Sequence, residues 1–220
     1  MDKKKEGSLV SSGDIVEITG KTILSAIPIG GTLISETWSS VKSNAAQKRL
    51  IEWQNMVEAR LCKLEISLDD IGNNERFTSA IFHATEAAIK TAETEKREYL
   101  ANAVLNSIDC DFDESVMMLL INMIDRYTLL HIKILDFFQN PKKYKNKYRQ
   151  NYYMGSPKDL LYEVYPTLKN MNDIVDIVCR ELYTDGLLNT SSFGATMTFG
   201  GMEASRTTEL GSRFIEFITQ

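Results

Sequence analysis

Leu50, Trp53, Val57, Leu61, Leu64, Leu68 and Ile71 step along the chain by threes and fours, with Lys48, Arg49, Glu52, Glu58, Arg60 and Lys63 between them. That spacing puts the apolar side chains on one stripe of a long amphipathic helix. Two further runs have the same form. After the break "GNN" at 72–74, Phe77, Ile81, Ala84, Ala88, Leu100, Ala103 and Val104 are the inward positions of a helix from about Glu75 to Ser107, whose alanines allow close helix approach. Val116, Leu120, Met123, Tyr127, Leu130, Ile134 and Phe137 predict a third, opened by Asp111 or Asp113 as a cap for free backbone N–H groups. A shorter helix begins at Pro28 and uses Ile34, Trp38, Val41 and Ala45. One-sided helices joined by short turns must bury their stripes against one another, so the expected N-terminal architecture is an antiparallel four-helix bundle in a mainly α protein.

Domain organisation follows from where the pattern stops. Residues 1–13 are charged and small and read as a flexible tail, 14–139 as the bundle, 140–156 as a basic, Tyr-rich connector, and 157–220 as a separate small module. A 43% hydrophobic fraction over 220 residues is enough for a core without staples. Cys62, Cys110 and Cys179 are odd in number, far apart and in no C-x-x-C pair, which fits reduced thiols rather than a disulfide framework.

The formal charge is −5, but its distribution matters more than its total. Acids outnumber bases on both sides of "NPKKYKNKYRQNYY", and that stretch itself holds Lys142, Lys143, Lys145, Lys147 and Arg149 with no acid. Tyr144 and Tyr148 alternate with these cations, a mix that can pair phosphates and stack on bases and that also suits a solvated linker. Lys3 to Lys5 could begin a secretory leader, but Asp14 and Glu17 follow them, and Pro28 and Gly30-Gly31 break the apolar run behind. No stretch reaches the roughly 18 uncharged apolar residues of a transmembrane helix. The expected location is cytoplasmic.

Signatures of catalysis and cofactor binding fail one by one. A calcium loop starting at Asp109 would need Gly at its sixth place and a bidentate acid at its twelfth, where the chain has Glu114 and Leu120. His83 and His131 lie in no metal-binding spacing, and the better reading of each is a hydrogen-bonded structural histidine. "TGKT" at 19–22 lacks the glycine and the parent strand of a phosphate loop, and no G-x-S-x-G elbow occurs. The chain is therefore read as non-enzymatic, with no cofactor and no metal.

The C-terminal part has a recognisable order. Pro157 opens a short helix that ends before Pro166, Met171 to Thr184 makes a second with Ile174, Val175, Val178 and Leu182 on one side, and "TDGLL" turns into a strand. "SSFGATMTFGG" offers strand residues, and "TTELGSRFIEFIT" is a last helix using Leu210, Phe214, Phe217 and Ile218. This order of helix, helix, strand, wing, strand and helix resembles the winged-helix superfamily over residues 157–220. The resemblance implies that the second helix would lie in the major groove if the module read DNA. That helix carries Asp173, Asp176, Glu181 and Asp185 against one Arg180, and residues 189–205 contain no Lys or Arg. The shape is expected without the phosphate chemistry.

The leading expectation is a helical-bundle protein whose C-terminal module binds a protein partner or a second copy of the chain. An alternative is a membrane-perturbing effector of the cell-death or abortive-infection type. In that reading segment 23–41, with Ile34 and Trp38 on it and Gly30-Gly31 as a hinge, would leave the bundle and contact a bilayer. A further alternative is a DNA-binding transcriptional regulator, with nucleic-acid contact weak, non-specific and confined to the basic connector.

Overall fold

The computed structural model describes residues 44–64 and 73–219. Gly30, Gly31, Ile34 and Trp38, and with them the expected first helix and segment 23–41, lie outside these residues, as do Leu68 and Ile71. What is described is mainly helical and divides into two compact units between Arg126 and Tyr127.

In the first unit, α1 (Asn44–Leu61) buries Leu50, Trp53, Val57 and Leu61, as the spacing requires. The next element is α2 (Glu75–Lys90), and Asn74 of "GNN" is its N-cap, with a side chain that accepts from the Phe77 N–H at 3.0 Å. The single helix expected over 75–107 is two, α2 and α3 (Thr94–Asn106). Between them Thr91 Oγ1 accepts from the Glu93 N–H at 3.2 Å, and Arg97 donates to the Thr91 carbonyl at 3.0 Å. These local bonds compete with the helical ladder and end it, where the inward positions lapse between Ala88 and Leu100. Arg97 is buried, with its guanidinium 2.7 Å from Glu52. Asp113 caps α4 (Glu114–Arg126) by accepting from the Val116 N–H at 2.9 Å. Helix α1 packs on α2 and α3, α2 on α3 and α4, and α3 on α4.

The apolar run Val116–Phe137 is also interrupted. Thr128 is the N-cap of α5 (Leu129–Gln139), and its backbone N–H donates to His131 Nδ1 at 3.3 Å. Tyr127, expected inside a helix, is the buried first residue of the second unit. The boundary therefore falls thirteen residues before the expected 139/140, and both α5 and the basic stretch belong to the C-terminal unit.

That unit continues as a 3-10 helix (Pro141–Lys147), β1 (Met154–Gly155), α6 (Pro157–Val164), a 3-10 turn (Pro166–Met171), α7 (Asn172–Thr184), β2 (Met197–Thr198), α8 (Phe199–Met202) and α9 (Glu209–Ile218). β1 and β2 are antiparallel, Met154 facing Thr198 and Gly155 facing Met197. The strand expected after "TDG" is a single bridge, Leu188 to Thr207. The "SSFGATMTFGG" stretch holds two strand residues and one helical turn, because Phe193 turns inward to stack on Phe138 at 4.1 Å and Thr198 caps α8. Among the described residues no helix is long and apolar enough to cross a membrane.

Candidate functional site

Helix α7 is framed on both sides by turn chemistry. Pro166 starts the 3-10 turn that leads into it. At its far end Gly186 takes φ 77°, a left-handed conformation that suits glycine, while Leu187 N–H donates to the Leu182 carbonyl at 2.9 Å. The inward stripe is Val175, Val178, Cys179 and Leu182. Ile174, expected on that stripe, points outward with 45% of its surface exposed; Ile177 is 49% and Met171 40% exposed. The reason is geometric. "DIVDIV" contains two apolar pairs, and a helix that seats Val175 and Val178 rotates Ile174 and Ile177 out by about 100°.

The acids of this helix have different fates. Asp176 is ion-paired with Lys158. Glu181 Oε2 lies 2.7 Å from His131 Nε2; since His131 Nδ1 accepts from Thr128, Nε2–H is the donor. Asp185 accepts from the Tyr127 hydroxyl at 2.5 Å, and the Tyr127 ring stacks on His131 with centroids 4.9 Å apart. Three of the four acids that make the helix look hostile to phosphate are thus engaged within the unit. Only Asp173 and the cation Arg180 stand on its outer face without a side-chain partner among the described residues.

Burial pushes the Cys179 thiol up to about 12, so it is no nucleophile near neutral pH. Among the described residues no group of three or more His, Cys, Asp or Glu side chains is placed to hold a metal. His83 is exposed beside Phe82 in the first unit, and His131 is spent in the second.

The basic stretch is a packed element of its unit rather than a loose connector. Lys143 pairs with Asp136 at 3.0 Å, and the Tyr144 hydroxyl donates to the same carboxylate. Tyr148 is buried and donates to Glu203 at 2.8 Å; desolvation, reinforced by that carboxylate, pushes its hydroxyl well above the ordinary range. Arg149 and Tyr152 both bond Glu163 at 2.7 Å. Against its desolvation, those bonds hold the Glu163 carboxyl below its usual range. Of the five cations, Lys142, Lys145 and Lys147 stay exposed with no acidic partner among the described residues, Lys147 resting 5.6 Å over the Tyr144 ring. The nearby Arg206 is turned inward to the Gly201 carbonyl at 2.7 Å.

Sequence reasoning located the basic residues but missed the outward face of α7, whose signal was the second apolar pair in "DIVDIV". It also missed the caps and partners that use up the acids. For Thr128 and His131 the signal was their three-residue spacing, that of an N-cap and the residue that returns to it. No protein-family model, curated protein or solved structure matches this chain.

Proposed function

We propose that this is a non-enzymatic helical-bundle protein whose C-terminal, winged-helix-like module mediates protein interaction or self-association. The reading is carried by the outer face of α7. In the position where a DNA-reading module would offer Arg, Lys, Asn or Gln, the helix offers Ile174 and Ile177, with Met171 at its N-cap. Grouped apolar side chains on an exposed helix have no base edge to read and gain free energy only by being covered. Consecutive packing of α1 to α4 supports the bundle, and the order of α6, α7, the Leu188–Thr207 bridge and the intervening segment supports the winged-helix arrangement.

The test is cross-linking of the tagged full chain in its own cells, wild type against Ile174→Glu/Ile177→Glu. Protein held by the wild type, whether a second copy or another chain, is expected to be lost from the double variant while far-UV circular dichroism stays mainly helical. Retention that is the same in both would overturn the proposal.

A second reading rests on Lys142, Lys145 and Lys147. Three cations on one short element, with no acidic partner among the described residues, support weak, sequence-independent contact with a phosphate backbone. Changing all three to Gln is expected to remove most duplex binding at low salt and to lower the slope of log K against log salt by about 2–3. Tight, sequence-dependent binding that survives the change would put the regulator reading first.

A further inference from the structure

Asp173 and Arg180 are two helical turns apart on α7, and Ile174 and Ile177 lie between them. All four are exposed, and neither charged side chain has a partner among the described residues. We propose that α7 pairs antiparallel with α7 of a second copy of the chain, each Ile174 against the other's Ile177 and each Asp173 against the other's Arg180. This rests on the interaction reading above and specifies its occupant.

The pattern is self-complementary in the way a two-fold interface requires: if residue i meets j, then j meets i. The midpoint between Ile174 and Ile177 and the midpoint between Asp173 and Arg180 fall within one residue of each other, so one axis near residue 176 serves both pairs. Taking Ile174 and Ile177 as the first and fourth positions of a heptad, Asp173 and Arg180 both fall on the flanking position just before the first. Equivalent flanks meet each other when helices run antiparallel, which places opposite charges together. In a parallel pair the same flank would face Val178, which is buried in its own unit, and Asp185, which is bonded to Tyr127. Asp176, the acid nearest the axis, is neutralised by Lys158, and Glu181, bonded to His131, lies at the end of the seam, so neither places a like charge against its copy at the centre.

One face of a 13-residue helix covers less than a standard stable interface, so the pairing is weak and concentration-dependent. It is tested on the full chain by sedimentation from the micromolar to the near-millimolar range. The wild type is expected to show a monomer–dimer equilibrium that Ile177→Glu removes. Asp173→Arg alone or Arg180→Asp alone is expected to lower the association constant roughly tenfold or more, because each places like charges together twice per dimer. Asp173→Arg/Arg180→Asp together should bring dimerisation back, since the pairs are only exchanged. These side chains are exposed, and far-UV circular dichroism verifies that each variant is folded.

A wild type that stays monomeric throughout overturns self-pairing; the interaction reading would still stand if the Ile174→Glu/Ile177→Glu variant loses a different protein on cross-linking. A dimer indifferent to Ile177→Glu and to charge reversal uses another surface and overturns the inference. Failure of the double reversal to restore dimerisation overturns the antiparallel geometry.

Discussion

Trp53→Ala is expected to lower the stability of the first unit by about 3–5 kcal/mol, the range for deleting a large buried aromatic. The side chain is 1% exposed at the centre of α1, and its indole N–H donates to Thr85 Oγ1 on α2 at 3.0 Å. Thr85 in turn donates to the Ile81 carbonyl at 2.6 Å, so the hydroxyl serves as acceptor and donor within a buried pair of helices. Truncation therefore removes packing volume and also leaves a buried oxygen without its donor. Domains of this size have only about 5–15 kcal/mol in total, so a shift of this order reaches the margin of folding. Trp53→Phe separates the two contributions: it keeps much of the ring and should cost about 1–3 kcal/mol, with the lost hydrogen bond a large part of that. Denaturant titration followed by far-UV circular dichroism measures both. A loss below about 1 kcal/mol for the alanine variant would mean that α1 does not close the core.

The second large effect runs against helix propensity. Gly211 lies within α9, where alanine is intrinsically favoured over glycine by about 1 kcal/mol. Here a β-carbon would stand 2.1 Å from the Leu187 carbonyl oxygen and 3.0 Å from the carbonyl carbon. The obstacle is backbone, and it is held in place: Leu187 O accepts from the Thr208 N–H at 3.0 Å, while the Thr208 hydroxyl donates to Gly186 O at 2.6 Å. Nothing flexible can move aside. Gly211→Ala is expected to destabilise the second unit by about 2–3 kcal/mol or more despite the propensity gain, which thermal and denaturant unfolding would register. A neutral or stabilising result would mean that α9 does not approach the turn after α7 as closely as the geometry requires.

Where the chain could be read in advance, burial decides structure through periodicity. The stripe Leu50, Trp53, Val57 and Leu61 is buried because its spacing leaves it no other place, and the bounds of α6, α7 and α9 follow from Pro157, Gly186 and Thr208. Periodicity could not reveal the two interruptions. At Tyr127–Thr128 the apolar pattern continues without a break, and at Thr91–Glu93 its lapse between Ala88 and Leu100 does not say where a helix ends; hydrogen bonds accepted by Thr91 and His131 decide the matter. The candidate surface was hidden for a related reason. A composition-based reading sees four acids on α7 as a negative face, whereas Lys158, His131 and Tyr127 engage three of them from elements far away in sequence. The cations of the basic stretch lose Lys143 and Arg149 in the same way.

Those internal pairings also bear on how fast the protein finds what it binds. A formal charge of −5 suggests a molecule that projects a directional field, but on α7 Lys158 offsets Asp176 and Arg180 offsets Asp173, which leaves the charges of Glu181 and Asp185, hydrogen-bonded to His131 and Tyr127. Beyond a Debye length of about 8–10 Å the residual charge of such a helix is screened by salt. Encounter at α7 then proceeds without long-range steering, at the roughly 10⁵–10⁶ M⁻¹s⁻¹ of an unsteered collision, and selectivity comes from how long a correctly aligned complex survives rather than from how often one forms.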